Sequence, residues 1–322
     1  MFKKILAVST TVLMGLMSSA ALGAYPDRPI KIINPFPGGP TDTMARLIAK
    51  KLQEGLGQPV VVESKGGAGG NIAVTYAARS EADGYTLLVT SATTHVVQPV
   101  IRKSLPYDAD KDFIPVMIPG QSTCVIVVNA SVPVTTFQEL VKYAKDHPDK
   151  LTYASAGTGT ALHLAGEVFS HYANVKLLHI PYKSAAQAST DLLAGQVNMM
   201  FDSPTNSAPN IKSGKLRGLA IMQPTRWATL SEIPTTTELG RPEIAFSNWL
   251  GLFALAGTPP EIIEKITAVL QSKMMDSDVK EYFQTIGMPL DPKFGKDTAK
   301  IIHDQRTALA KVVKGANLPL ID

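Results

Sequence analysis

The sequence predicts an α/β protein built as two lobes. Strands and amphipathic helices alternate along most of the 322 residues. Each strand passes to its helix through a short turn that carries glycine or proline. The alternation also occurs twice, without a repeated sequence between the halves. Cys124 is the single cysteine, so no intrachain disulfide is available and a packed core must carry the stability.

In the first half, Pro29-Ile30-Lys31-Ile32-Ile33 reads as a β-branched strand. The loop Asn34 to Thr41 follows, then a helix from about Asp42 whose Met44, Leu47, Ile48, Leu52 and Leu56 recur at helical spacing, with Gly57 as its C-terminal cap. Gln58 to Glu63 gives the next strand, Lys65 to Gly70 a turn, and Ile72 to Arg79 a helix. Asp83-Gly84 then turns into the strand Tyr85 to Thr90. Such a βαβαβ run is expected to be wound right-handed.

The second half has strand Val125 to Val128, helix Thr136 to Asp146, strand Leu151 to Ala154 and helix Ala161 to Tyr172. Strand Leu177 to Ile180, helix Ala185 to Ala194 and strands Val197 to Phe201 and Leu216 to Met222 follow. After the strand Leu252 to Leu255, three helical patterns close the chain. They carry Ile263, Ile266 and Leu270, then Tyr282 and Phe283, then Ile301, Ile302, Leu309 and Val313. They are expected to pack back on the first lobe.

Lys3 and Lys4, an apolar run from Ile5 to Met17 and small residues up to Ala24 make residues 1–24 a secretory signal peptide. No later apolar run reaches the roughly 20 residues that span a bilayer. No cysteine stands at Ala24-Tyr25 for a lipid anchor, so the exported chain is expected free in the periplasm. The formal charge of +4 loses two units with Lys3 and Lys4. No dense Lys/Arg block remains, and nucleic acid is excluded as a partner.

Tyr153-Ala154-Ser155-Ala156-Gly157-Thr158-Gly159-Thr160 stands between a strand and a helix and reads as an anion pocket. Gly157 and Gly159 let backbone approach a ligand, while Ser155, Thr158 and Thr160 add hydroxyls beside the free N–H groups of a helix start. A dinucleotide turn would need glycine where Leu162 stands, and a nucleophile turn needs glycine two residues away on both sides of its serine. The run is built to hold rather than to react.

Several tags in order resemble the TctC/Bug family, the periplasmic solute-binding proteins of tripartite tricarboxylate transporters. They include Tyr25-Pro26-Asp27-Arg28-Pro29-Ile30, Gly38-Gly39-Pro40-Thr41-Asp42, Gly67-Ala68-Gly69-Gly70 and Asp83-Gly84-Tyr85-Thr86-Leu87-Leu88. Leu105-Pro106-Tyr107-Asp108, Tyr153-Ala154-Ser155-Ala156-Gly157, His163-Leu164-Ala165-Gly166-Glu167, Pro181-Tyr182-Lys183 and Asp191-Leu192-Leu193-Ala194-Gly195 continue the match over the mature chain. The resemblance implies a two-lobed periplasmic binding protein, type II-like, of Venus-flytrap form with two crossing hinge strands. Lobe 1 would be residues 25–121 and 250–322, lobe 2 residues 122–249. It implies a monomer that carries a small organic carboxylate to membrane permease subunits.

It also implies that the carboxylate lies between two strand-to-helix loops. One is Phe36, Pro37, Gly38, Gly39, Thr41 and Asp42; the other is Ser155, Ala156, Gly157, Thr158, Gly159 and Thr160. The residue reading agrees, since both are glycine-bearing helix starts where exposed N–H groups and the macrodipole favour an anion. Thr94, Tyr182 and Asp202, with Ser203, are placed to discriminate cargo. The first loop departs from the family: Pro35-Phe36-Pro37 runs directly into Gly38, so the loop is one residue shorter or Asn34 fills the usual proline position. Ser184 stands where glycine is usual and Leu309 where tryptophan is frequent.

Plainer roles accompany these. Asp42 is expected to cap its helix, and Thr93 to His95 to form a solvated loop, with Thr94 also placed at a strand end where α/β sheets bind ligands. His163, Glu167 and His171 form an i, i+4, i+8 stripe, but eight helical residues span roughly 12 Å, so one ion cannot take all three. A surface His/Glu pair is expected, with no metal and no cofactor. Lys65 to Gly70 lacks the Gly-Lys-Ser/Thr ending of a nucleotide loop and is read as a tight turn. Two other functions remain beside solute binding: a periplasmic hydrolase of carboxylate esters with Ser155 as nucleophile, needing a histidine and an acid from elsewhere in the fold, and a ligand-dependent partner of a sensor.

Overall fold

The structure is a computed structural model that describes residues 25–38, 40–286, 288–315 and 320. The signal peptide expected at 1–24 and Gly39 of the first loop lie outside the described residues. In chain order the strands are β1 (Ile30–Asn34), β2 (Val60–Ser64), β3 (Thr86–Ser91), β4 (Phe113–Ile118), β5 (Gln121–Thr123), β6 (Val125–Asn129), β7 (Thr152–Ser155), β8 (Leu178–Pro181), β9 (Met199–Asp202), β10 (Leu216–Ile221), β11 (Ser247–Leu255) and β12 (Lys293–Phe294). The helices are α1 (Pro40–Leu56), α2 (Asn71–Ala78), α3 (Gln98–Ile101), α4 (Phe137–Asp146), α5 (Ala161–Ala173), α6 (Ala185–Leu193), α7 (Pro204–Lys212), α8 (Pro260–Lys273), α9 (Ser277–Thr285) and α10 (Gly295–Gly315).

Two sheets make the two lobes. The first has the order β12-β4-β11-β3-β1-β2, with β5 also paired to β11; the second has β10-β6-β9-β7-β8. β2, β1 and β3 are mutually parallel, as are β8, β7 and β9. Parallel neighbours need long crossovers, which α1, α2, α5 and α6 supply. As a result β1, β3, β7 and β9 all deliver their carboxyl ends to loops that open helices or turns, the usual place for a ligand in such sheets.

The chain leaves the first sheet at β5, passes Cys124 and enters the second at β6. It returns after β10 into β11. Outgoing and returning strands pair antiparallel, with Thr123 opposite Ser247 and Gln121 opposite Trp249. These are the two crossing strands.

Both faces of both sheets are covered, so strands read as near-continuous apolar runs rather than strict alternation. In the first lobe Ile30, Ile32, Leu87, Val89 and Leu252 face one core, while Ile33, Leu88, Phe253 and Leu255 face the other. In β6, Val125 and Val127 point one way and Ile126 and Val128 the other. Cys124 is a buried free thiol, and burial pushes its pKa up, so it packs as a small apolar residue.

The closing helices differ in part from expectation. α8 packs on α1, and α10 packs on β4 and α3, but α10 also touches α5 of the second lobe. Val312 belongs to the second lobe's core, and Gly315 lies against His171. α10 therefore spans both lobes instead of serving only the first. Among the described residues no helix is long and apolar enough to cross a membrane.

Candidate functional site

The first loop hangs on Asn34, which is fully buried at the end of β1. Its Nδ2 donates to Asp42 Oδ1 (3.0 Å) and Ser64 Oγ (3.1 Å), and its Oδ1 accepts the Phe36 N–H (3.1 Å). That side-chain turn steers the chain through Pro35-Phe36-Pro37. Asp42 completes the brace. One carboxylate oxygen takes Asn34 and, at 3.4 Å, Ser64 Oγ, while the other takes Arg46 Nε at 3.1 Å. Its position in the first turn of α1 also suits the helix dipole. Thr41 is buried beside it, and Gly38 (φ +71°) is exposed with nothing around the site of an added Cβ.

Phe36 and Thr94 come together over Gly70: a Cβ there would lie 3.0 Å from Phe36 Cζ and 3.0 Å from Thr94 Cγ2. Pro37 similarly covers Gly66, at 3.2 Å from its hypothetical Cβ. The solvated loop expected at Thr93 to His95 is instead a tight π-helical turn, Thr93–Val97, with Thr94 and His95 fully buried. Thr94 Oγ1 is bonded to Thr90 Oγ1 (2.6 Å) and His95 Nδ1 (3.0 Å), and its carbonyl accepts from Tyr107. The sequence pattern hid this because the run is too short for helical periodicity to register.

The second loop is folded by its own hydroxyls. Ser155 Oγ accepts the Gly157 N–H at 3.1 Å, and Thr160 Oγ1 donates to the Gly157 carbonyl at 2.7 Å while capping α5 through the His163 N–H. Gly157 (φ +119°) and Gly159 (φ +79°) occupy backbone conformations that side chains resist. The Gly159 N–H donates to His163 Nδ1 (3.2 Å). Among the described residues, the N–H groups of Ala156, Thr158, Ala161 and Leu162 make no hydrogen bond within the protein. These N–H groups lie ahead of and within the first turn of α5, where a helix leaves its donors unpaired.

Two histidines lie behind this loop, and the sequence reading missed their part in it. His179 Nε2 is 2.7 Å from Ser155 Oγ, and the His179 and His163 rings are 4.2 Å apart. The expected surface pair of His163 and Glu167 is largely buried, with side chains 13% and 17% exposed and Nε2 3.6 Å from Oε1. Burial lowers both histidines to about 4, with His163 adding to the effect on His179. Both are therefore neutral near pH 7. His171, the third member of the stripe, sits apart against α10. The stripe was visible, but its depth follows from Tyr153, which packs under α5 and donates to Glu167 at 2.6 Å.

Tyr182 follows β8 and abuts the loop: its N–H donates to Ser155 O (3.0 Å), and its hydroxyl donates to Asp191 (2.8 Å). Asp202, at the end of β9, is 2% exposed and accepts from Asn206 (2.6 Å) and Ser207 (2.7 Å). Burial raises its pKa. The two lobes meet near the loop. A Cβ on Gly159 would lie 3.4 Å from Ile101 of α3, and Leu164 of α5 packs in the first lobe's core with Val97 and Ile101.

Comparison with known proteins agrees with this architecture. Residues 44–318 match the profile of the tripartite tricarboxylate transporter family receptor, TctC. Protein BugT of Bordetella pertussis is 35% identical over 94% of this chain and 94% of its own length. An R. palustris protein solved with adipate superposes with a TM-score of 0.75 at 31% identity, covering 91% of this chain and 98% of that one. MatC from Rhodopseudomonas palustris, solved with bound malate, gives 0.72 at 30% identity, covering 90% and 100%. With two lobes, crossing strands and a full-length match, the chain belongs to the TctC/Bug family of tripartite tricarboxylate transporter receptors.

Proposed function

We propose that this protein is a periplasmic receptor that closes its lobes over a small organic carboxylate and delivers it, unchanged, to the membrane subunits of a tripartite tricarboxylate transporter. The observation that carries the reading is the donor set of the second loop. Four backbone N–H groups, of Ala156, Thr158, Ala161 and Leu162, are left without protein partners at the start of a 13-residue helix, and that end faces the first lobe at Ile101. An anion there gains from those hydrogen bonds and from the helix dipole without any arginine. The first loop contributes less hydrogen bonding, because Pro35 and Pro37 have no N–H and that of Phe36 is taken by Asn34. Its part is to close over the ligand with Phe36, Pro37 and Gly38. The adipate and malate of the relatives suit a dicarboxylate of four to six carbons.

In this reading the lobes divide at residues 121/122 and 249/250, and the ligand's preference for the closed arrangement drives hinge closure. Tyr182 stands at the cleft wall, while Thr94 and Asp202, buried with their polar side chains engaged, act on the cargo through neighbouring backbone and water. The protein acts as a monomer after removal of residues 1–24. The test is a thermal-shift and calorimetric panel of dicarboxylates, tricarboxylates and acidic amino acids against their methyl esters. Binding to the native state raises the melting temperature, and free acids are expected to do so where esters do not. Equal shifts for acid and ester would refute the anion site.

A second reading has one observation in its favour, the 2.7 Å Ser155–His179 contact, which is the spacing of a nucleophile and its base. Ser155 is fully buried, however, and its oxygen already accepts the Gly157 N–H.

A further inference from the structure

The second loop contains more N–H groups than it offers to a ligand, and those it withholds are tied to side chains. Gly157 N–H goes to Ser155, whose hydroxyl leans on His179. Gly159 N–H goes to His163 Nδ1. To accept that hydrogen bond, Nδ1 must carry no proton, which puts the imidazole's proton on Nε2. Nε2 faces Glu167 Oε1 at 3.6 Å, and the same oxygen is held at 2.6 Å by the Tyr153 hydroxyl. The Tyr153 ring in turn stacks 4.8 Å from His179. A chain of four residues thus runs from the second lobe's core to the amide of Gly159.

We propose that His163 is a positioning residue for the ligand loop: with Nδ1 unprotonated and its proton on Nε2, it takes the Gly159 N–H and so leaves the Ala156 and Thr158 N–H groups turned toward the ligand. The inference rests on the carboxylate-binding reading for its purpose, but the tautomer and the loop geometry stand without it. Gly159 at φ +79° has no Cβ to hold it, and a glycine turn left free would sample many conformations. The imidazole removes that freedom before the ligand arrives, which is how preorganisation strengthens binding. Glu167, 3.6 Å from Nε2, acts one step back, as a nearby carboxylate that favours the proton on that side of the ring without a hydrogen bond to it.

The test separates the two ring positions. Asparagine places its amide oxygen near where Nδ1 stands, whereas glutamine reaches the Nε2 position and leaves Nδ1 unreplaced. In the ligand-free wild type, nitrogen NMR should show His163 as the Nε2–H tautomer, and the Gly159 amide should exchange far more slowly than those of Ala156 and Thr158. His163→Asn should keep the Gly159 protection and bind adipate or malate within about threefold of wild type. His163→Gln should lose the protection and bind roughly tenfold more weakly, the worth of about one hydrogen bond. An Nδ1–H tautomer in the wild type, or full Gly159 protection in a folded H163Q, would overturn the inference, and the tautomer measurement needs no variant to fold. If the tautomer and protection are as expected but the wild type binds neither acid nor any other carboxylate, the carboxylate reading fails and the loop brace stands.

Discussion

Ser155 Oγ and His179 Nε2 stand 2.7 Å apart across the neighbouring parallel strands β7 and β8. Such a pair supplies two of the three members of a hydrolytic triad, yet its surroundings point elsewhere. Burial lowers His179 to about 4, far below the near-neutral pKa that suits a general base. Among the described residues its other ring nitrogen has no carboxylate partner. The pair shapes the loop from behind, as His163 does one turn further along.

Ser155→Ala tests this directly. It removes the acceptor of the Gly157 N–H and the partner of His179, so stability should fall by about 1–3 kcal/mol and carboxylate affinity should fall with it. Neither wild type nor variant should hydrolyse p-nitrophenyl esters. Wild-type turnover that disappears in S155A would establish the hydrolase instead.

A side chain added at Gly157 or Gly159 would obstruct the backbone donors of the second loop. The positive φ angles add a backbone cost to that obstruction. At φ +119° Gly157 lies outside even the left-handed helical region, so Gly157→Ala should cost about 1–3 kcal/mol; Gly159→Ala, at φ +79°, should cost about 1–2 kcal/mol. Denaturant titration and calorimetry on the same samples separate the effects: affinity should fall in both variants while they remain folded. A folded G157A with wild-type affinity would remove this loop from the site.

Asp42→Ala should behave in the opposite way. Its carboxylate braces Asn34, Ser64 and Arg46, so the loss is about 1 kcal/mol of stability, with ligand affinity reduced only through a looser first loop. A large loss of affinity at unchanged stability would mean that Asp42 touches the ligand.

The elements legible in the sequence were those with a repeating signal. β1, α1, α5 and the parallel strands came from apolar periodicity and glycine turns, and Ser155 to Thr160 stood out because two glycines and three hydroxyls open a helix. What stayed hidden depends on contacts between distant segments. Asn34 gave no sign that its side chain would organise the first loop, since its partners Asp42 and Ser64 are 8 and 30 residues away. His179 meets Ser155 only because β7 and β8 pair in register. β4 and α7 carry prolines inside them, Pro115 and Pro209, which interrupt the period by which a strand or helix is read. α10 was legible as a helix, but its reach to both lobes was not.

The buried histidines also set how the fold responds to acid. His163 and His179 are lowered to about 4 and His95 to about 3, in each case chiefly by burial, with Arg306 adding to the effect on His95. In the unfolded chain each titrates near 6.5. Between those values the unfolded state binds protons that the folded state refuses, so stability must fall as pH falls. The loss should begin near pH 6.5 and steepen toward 4, each histidine contributing up to about 1.4 kcal/mol per pH unit. Asp278, held below the usual carboxylate range by Lys50 and Lys51, adds its own loss only under about pH 4. Denaturation curves at pH 7.5, 6, 5 and 4.5 should therefore show a declining stability that His163→Asn makes shallower by about one proton's worth. A stability flat from pH 7.5 to 4.5, or a slope unchanged in H163N, would mean that His163 is not the buried neutral group on which the second loop rests.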